Sequence, residues 1–191
     1  FNDLLFNVLI GFVMLFVIAF LMINPIAKKA DIPVKAEFMI VLEWDEDAHD
    51  DLDLWMQLDK NKPVGFTNRE DTPLHLDRDD LGTTNDRIVV DGKVIFIKTN
   101  RETITVRGII PGDYFVTVHM YSKKAAVVPY TVTVMKVNPF RQVYSLTGEF
   151  LVNREIQRLP AFTVDANGRV TSVFEHVRQI VPQRGTGAGQ W

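Results

Sequence analysis

Hydrophobic and polar positions divide the chain into two parts with different periodicities. Residues 4–26 carry no formal charge and are mainly Leu, Ile, Val, Phe and Met. About 20 such residues in a helix cross the ~30 Å hydrocarbon layer of a bilayer, since each residue adds 1.5 Å. The apolar core of a signal peptide is usually only about 7–15 residues long. We therefore expect a transmembrane helix over residues 1–27.

After this segment, apolar and polar side chains alternate with a period of two, which is typical of strands with one buried face. Asp91-Gly92 and Asn167-Gly168 each separate two such segments, as in β-hairpins. Short strands with turns about every ten residues predict a β-sandwich over residues 37–181. The predicted strands lie near residues 38–44, 52–57, 88–90, 93–97, 103–107, 114–121, 130–134, 162–164 and 170–174, and a short helix is expected near 174–180.

The expected fold class is therefore a single N-terminal transmembrane α-helix followed by an all-β sandwich domain. Residues 28–36 are interpreted as a linker, which Pro33 would stiffen by fixing φ. Residues 182–191 contain three glycines and are interpreted as a flexible tail. The ~150 residues after the helix suffice for one compact domain with its own core.

Charge and composition exclude several classes of function. The net charge is only -3, so nothing indicates nucleic-acid binding. The chain has no cysteine, which excludes disulfides and thiolate metal sites. The four histidines are scattered, and neither HExxH nor GxSxG occurs. His119 is interpreted as a sheet-surface or core residue rather than a general base. We expect a binding or structural protein, not an enzyme.

Asp3 is the chemically informative residue of the apolar segment. A spacing of four residues places Asp3, Asn7 and Gly11 on one face of a helix. Polar groups in lipid face protein or water, and glycine permits close approach of another helix. One interpretation is an interfacial carboxylate that caps the helix, with Asn7 tolerated. The other is an ion-relay carboxylate that faces the helices of a partner.

The segment FNDLLFNVLIGFVMLFVIAFLMINP resembles the single helix of the small subunit in ion-driven envelope motors, the MotB, ExbD, TolR and ZorB group. In that group an aspartate near the start of one apolar helix matches Asp3. The resemblance implies a dimer of this chain, its two helices lying in the lipid inside a ring, expected to be pentameric, of a multi-spanning partner. It implies that Asp3 takes up and releases H⁺ or Na⁺. It also implies a single-pass protein of the bacterial inner membrane with a periplasmic C-terminal domain. The chain departs from the group in lacking a peptidoglycan-binding domain of the OmpA type and the short ExbD-like domain.

The orientation of the helix is open to two readings. Lys28 and Lys29 alone would draw the C-terminal side toward the cytoplasm by the positive-inside rule. Basic residues ahead of Phe1 would reverse that preference, because orientation follows the charge difference across the span. With the resemblance to motor subunits, we expect the N-terminus inside and the β-domain outside.

Residues 51–137 resemble the YfaP-like family of bacterial extracytoplasmic β-domains. The ordered motifs are DLDLW at residues 51–55, LDRDDLG at 76–82 and IPGDYFVTVHMY at 110–121, followed by YTVTV at 130–134. The resemblance implies a β-fold outside the cytoplasm and assigns no activity.

Acidic residues are concentrated near two of these motifs. Oxygen-rich loops at strand ends suit Ca²⁺, which takes six to eight oxygen ligands. Neither segment has the spacing of an EF-hand loop. The alternative is a solvated edge that prevents pairing with other sheets. The candidate calcium ligands are Asp51, Asp53, Asp77, Asp79 and Asp80.

The function expected from these features is that of a motor subunit. A type IV pilin-like filament subunit is one alternative, but pilin-like chains place glutamate where this chain has Leu5. Their helix also continues well beyond the length of the lipid layer, whereas strand-like alternation begins here near Val34. A membrane-tethered binding domain is the other alternative.

Overall fold

The computed structural model describes residues 2–23 and 35–182, and the chain divides into two compact units at residue 34. Helix α1 spans Asn2–Ile23, and the side chains of residues 2–20 are all exposed. It is long and apolar enough to cross a membrane, with a mean hydropathy of 2.5. The predicted single helix is thus confirmed. The interpretations of Lys28, Lys29 and Pro33, and of the tail after residue 182, fall outside the described residues.

The second unit is a β-sandwich, which confirms the predicted fold class. One sheet has the strand order β10-β9-β1-β7-β4-β3 and the other β12-β11-β8-β2, with every neighbouring pair antiparallel. Strands β5 and β6 pair only with each other. The strands are β1 (Ala36–Trp44), β2 (Asp51–Leu58), β3 (Glu70–Asp71), β4 (Leu74–Arg78), β5 (Arg87–Val90), β6 (Lys93–Phe96), β7 (Arg101–Arg107), β8 (Gly112–Ser122), β9 (Val128–Lys136), β10 (Arg141–Phe150), β11 (Ile156–Val164) and β12 (Val170–Phe174).

The main core lies between the two large sheets and follows the predicted alternation. In β2, Leu52, Leu54 and Met56 are fully buried in this core. Residues 116, 118 and 120 of β8 occupy the same layer. The opposite side chains of these strands therefore lie on the outer face of the four-stranded sheet.

A smaller apolar cluster covers that outer face. It joins Trp55 and Phe115 to Ile180 and Val181, which follow β12. The helix expected near residues 174–180 is wrong, because β12 ends at Phe174 and no helix follows in the described chain. Residues 176, 178 and 180 are partly or fully buried, whereas 175, 177 and 179 are exposed. This period of two is that of an extended strap lying on a sheet.

Both predicted hairpins are present. Asp91 and Gly92 join β5 to β6 with φ of 50° and 74°, the positive values that a type I′ turn requires. Asn167-Gly168 lies in the turn between β11 and β12, where Gly168 has φ of 72°. Three strands were not predicted, β3, β4 and β10. The LDRDDLG motif at residues 76–82 begins inside β4, since Asp77 belongs to that strand.

Candidate functional site

The helix places the predicted polar residues on one face. Asp3 lies in the first turn of α1, and Asn7 and Gly11 follow at intervals of four residues. A methyl group added at Gly11 would have no neighbour within 4 Å among the described residues. The side chains of residues 2–20 are exposed on every face of the helix, and Asp3 is its only charged residue.

The β-domain gathers most, but not all, of its candidate acidic ligands. The charges of Asp53, Asp79 and Asp80, together with burial as the largest cause, raise the pKa of Asp51 to about 7. These carboxylates come from the start of β2 and from the segment after β4. The edge strand β2 of the four-stranded sheet and the region after β4 of the six-stranded sheet meet there.

Asp77 has a different set of partners. Its carboxylate accepts hydrogen bonds from the Thr105 hydroxyl, at 2.5 Å, and from the Arg107 guanidinium. His75 lies 3.3 Å away. Leu76, next in β4, is in the main core. Because neighbouring residues of a strand face opposite sides, Asp77 lies on the outer face of the six-stranded sheet. The structure therefore does not join Asp77 to the other candidate ligands.

Glu102 of β7 is a buried member of the acidic group that the sequence reasoning missed. It is 1% exposed, and its Oε2 accepts a hydrogen bond from the Leu54 backbone N–H at 2.6 Å. Its Oε1 accepts from the Asp80 backbone N–H at 3.4 Å. Burial, with added repulsion from Asp53, raises its pKa well above the ordinary value. Glu102, Ile104 and Val106 are alternate residues of β7, so their side chains lie on the same face of the sheet. This alternation could have predicted that Glu102 faces the core.

Asp80 is fully buried and only half satisfied. Its Oδ2 forms an ion pair with Arg78 Nη2 at 2.6 Å, and its Oδ1 has no hydrogen-bond partner among the described residues. Burial is the largest cause that raises the pKa of Asp80, and Arg78 opposes it. Oδ1 of Asp51 also lacks a partner within the described chain. The group thus places several carboxyl groups close together, and Arg78 provides a compensating charge at Asp80.

His119 and Asp53 form a mostly buried pair on neighbouring strands. Their Nδ1 and Oδ2 atoms lie 2.8 Å apart, and the two residues are cross-strand partners in β8 and β2. Burial raises the pKa of Asp53, while the hydrogen bond from His119 lowers it. The interpretation of His119 as a residue of the sheet is consistent with this contact. The pair fixes one carboxylate of the acidic group.

Within residues 2–23 and 35–182, no three or more His, Asp or Glu side chains are arranged to hold a metal ion. The oxygen donors suit Ca²⁺ chemically, but they do not converge on one point. Calcium binding at Asp51, Asp53, Asp79 and Asp80 stays a prediction.

No family model and no curated protein matches this chain. A solved structure, titled "Crystal structure of unknown function protein SAV2460", is similar at 19% sequence identity and a TM-score of 0.42. The similarity covers 74% of this chain and 90% of that one. It supports no conclusion about function.

Proposed function

We propose that this chain is the small subunit of a proton- or sodium-driven membrane motor complex. Two copies of α1 would lie inside a ring of a multi-spanning partner, expected to be a pentamer. The β-sandwich would stand on the periplasmic side of the bacterial inner membrane. The observation that carries the proposal is the single carboxylate of a 22-residue helix, Asp3, on one face with Asn7 and Gly11.

The cost of a charge in lipid supports this assignment. Ionisable residues in membrane spans are rare, face protein or water, and mark ion pathways. A helix that served only as an anchor would gain nothing from Asn7 one turn deeper than Asp3. Gly11 continues the face with a residue that lets another backbone approach closely. The three residues together suit contact with partner helices better than contact with lipid.

The proposed cycle uses Asp3 as the group that exchanges the ion. An ion from one side of the membrane binds the carboxylate and leaves toward the other side, and the helix moves relative to the ring. One elementary charge crossing the membrane supplies about 2.3 kcal/mol per 100 mV, several times the thermal energy. Motion of the helix would reach the β-domain through residues 24–34, which join the two units.

The test is ion flux through the co-expressed complex in vesicles, with assembly measured separately by native mass spectrometry. Asp3→Asn keeps the shape of the side chain but cannot exchange a proton, so flux should be lost while two copies still assemble per ring. Asp3→Glu should retain part of the flux. Asn2→Asp combined with Asp3→Asn is the matched control, because it keeps the charge but turns it about 100° around the helix.

Flux that persists in Asp3→Asn would reject the ion relay and leave a static anchor. Recovery of flux in the control would show that any carboxylate at the helix start suffices. A monomer with no multi-spanning partner in detergent extracts would reject the motor complex itself.

A further inference from the structure

The β5–β6 hairpin exposes apolar side chains on both of its faces. It joins neither large sheet, and none of its residues belongs to the main core. Cross-strand pairing sets Ile88 opposite Ile95 and Val89 opposite Val94. Apolar patches of this kind on a soluble domain mark interaction sites. Six apolar residues of the hairpin and its exit are between 43% and 65% exposed: Val89, Val90, Val94, Ile95, Phe96 and Ile97.

The hairpin also has free backbone groups. The Ile97 N–H donates to the Asp86 carbonyl at 2.9 Å. Hydrogen-bonded and non-hydrogen-bonded pairs alternate along an antiparallel ladder, so the pairs Ile88–Ile95 and Val90–Lys93 are also hydrogen-bonded. Val94 and Phe96 therefore point their N–H and C=O groups away from β5. Among the described residues these groups have no partner. A two-stranded sheet in isolation is only marginally stable, and further strands would stabilise it.

Edges of the large sheets are less available than β6. β3 has only two residues, β10 contains a register shift beside Val143, and β12 contains one at Thr171. On β2, Glu102 accepts the hydrogen bond of the Leu54 N–H. Short strands, bulges and capped donors are the usual means of protecting an edge. β6 is also short, with four residues, but its pairing with β5 has no register shift, and no side chain in the described part of the chain caps its outward donors.

We propose that β6 pairs with β6 of a second copy of this chain, antiparallel about a twofold axis at Ile95. The register sets Val94 opposite Phe96 of the other copy and satisfies the outward groups of both residues. It sets Lys93, the only charged residue of β6, opposite Ile97 and away from the other Lys93. Like charges therefore do not oppose one another. The result is a four-stranded intermolecular sheet, and its twofold symmetry limits the assembly to two copies.

We favour a second copy of this chain as the partner of β6, because the membrane helix would hold two β-domains close together. This step rests on the proposed function, in which two helices lie in one ring. Ile23 and Lys35 are joined by 11 residues, which span no more than about 40 Å. Two β-domains so tethered meet at a millimolar effective concentration, at which even a small interface forms.

Single cysteines test the register directly, since the chain has none of its own. The full-length protein with its ring is oxidised in native membranes. Directly opposed residues of a non-hydrogen-bonded pair have Cα atoms about 4.5 Å apart, within reach of a disulfide. Ile95→Cys should therefore cross-link most of the protein. Val94→Cys should not, because its two copies are displaced by two residues, about 7 Å, along the strand. Val177→Cys, at a site 92% exposed, measures random collision.

A second variant separates pairing from mere proximity. Val94→Pro removes the outward N–H without touching the hairpin's own bonds, so Ile95→Cys should lose its cross-link in that background. Cross-linking that persists at full yield would reject strand pairing. Equal yields for Ile95→Cys and Val177→Cys would reject the interface. In that case a blue shift of an environment-sensitive dye at residue 95 would identify lipid as the occupant.

Asn7→Cys on α1 separates this inference from the proposed function. A helix cross-link without one at residue 95 rejects the β6 pairing alone. A cross-link at residue 95 without one on the helix retains the pairing and counts against the helix dimer. Absence of both rejects the pairing together with the dimer.

Discussion

The Glu102 carboxylate accepts a hydrogen bond from the backbone N–H of Leu54 and so links strand β7 of one sheet to the edge strand β2 of the other. Glu102 is 1% exposed, and its second oxygen accepts from the Asp80 N–H. One buried side chain therefore satisfies two backbone donors where the edges of the sandwich meet.

Replacement of Glu102 should destabilise the β-domain strongly. Glu102→Leu leaves both donors without an acceptor, at a cost of roughly 1–3 kcal/mol for each. Glu102→Gln keeps one acceptor oxygen and should lose less. Glu149, exposed on β10, provides the control Glu149→Leu, which should change stability little. Urea unfolding of residues 35–182 measures the differences. Equal stability of Glu102→Leu and wild type would contradict the role of the bridge.

Stability of the β-domain should fall as the pH rises from about 4 to above 7. Burial and the neighbouring carboxylates raise the pKa of Asp51 from 3.8 to about 7, so the folded state binds the proton more tightly than the unfolded chain. The resulting stability is complete below pH 3.8 and is lost as the pH passes through about 7. Glu102 shifts in the same direction.

Thermal unfolding at a series of pH values tests this dependence. Asp51→Asn should flatten the profile between pH 4 and 7, and it should raise the melting temperature most at pH 8. Asp77→Asn is the control, because Asp77 interacts with Arg107 and not with the buried group. A profile that Asp51→Asn leaves unchanged would show that Asp51 titrates normally.

The β-domain should fold without the helix. Residues 35–182 contain the whole of both sheets and of the apolar clusters. We expect a soluble fragment with a circular dichroism spectrum dominated by β-structure and one cooperative thermal transition. A fragment that aggregates or lacks a transition would show that the sandwich depends on its anchor.

The β-domain should lie outside the cytoplasm. Protease added to spheroplasts should then cleave the chain after Ala30 and release the domain. If the whole chain stays protected from protease in intact spheroplasts, the orientation is the opposite of the one proposed. A cytoplasmic protein measured in the same samples controls for lysis.

Side-chain periodicity predicted the elements with one clearly buried face. Leu52, Leu54 and Met56 alternate with polar or outward residues, and the turn sequences at residues 91–92 and 167–168 defined two hairpins. Strand β10 was missed because it is an edge strand and most of its side chains are exposed, which leaves no alternation to detect. The strap after Phe174 was predicted to be a short helix, whereas its period of two is set by tertiary contact with the outer face of the sheet.

The acidic group was predicted in part. Asp51, Asp53, Asp79 and Asp80 stood out as clusters along the sequence, and the fold brings them together. Glu102 alternates in phase with Ile104 and Val106, which indicates an inward side chain, but the groups that it meets depend on the pairing of distant strands. The opposite orientation of Asp77 follows from its place in strand β4, which was not predicted. Short-range patterns identify candidates, whereas the sheet topology determines which of them meet.

The place of β1 in its sheet has a mechanical consequence. β1 is the first strand after the membrane unit, and it lies between β7 and β9 with a ladder of hydrogen bonds on each side. A force applied at Ala36 in the direction of β1 would load both ladders at once in shear. The bonds must then break together, and not one after another as when an edge strand is peeled away. The chain therefore enters the domain through a central strand that is paired on both sides, and not through an edge strand.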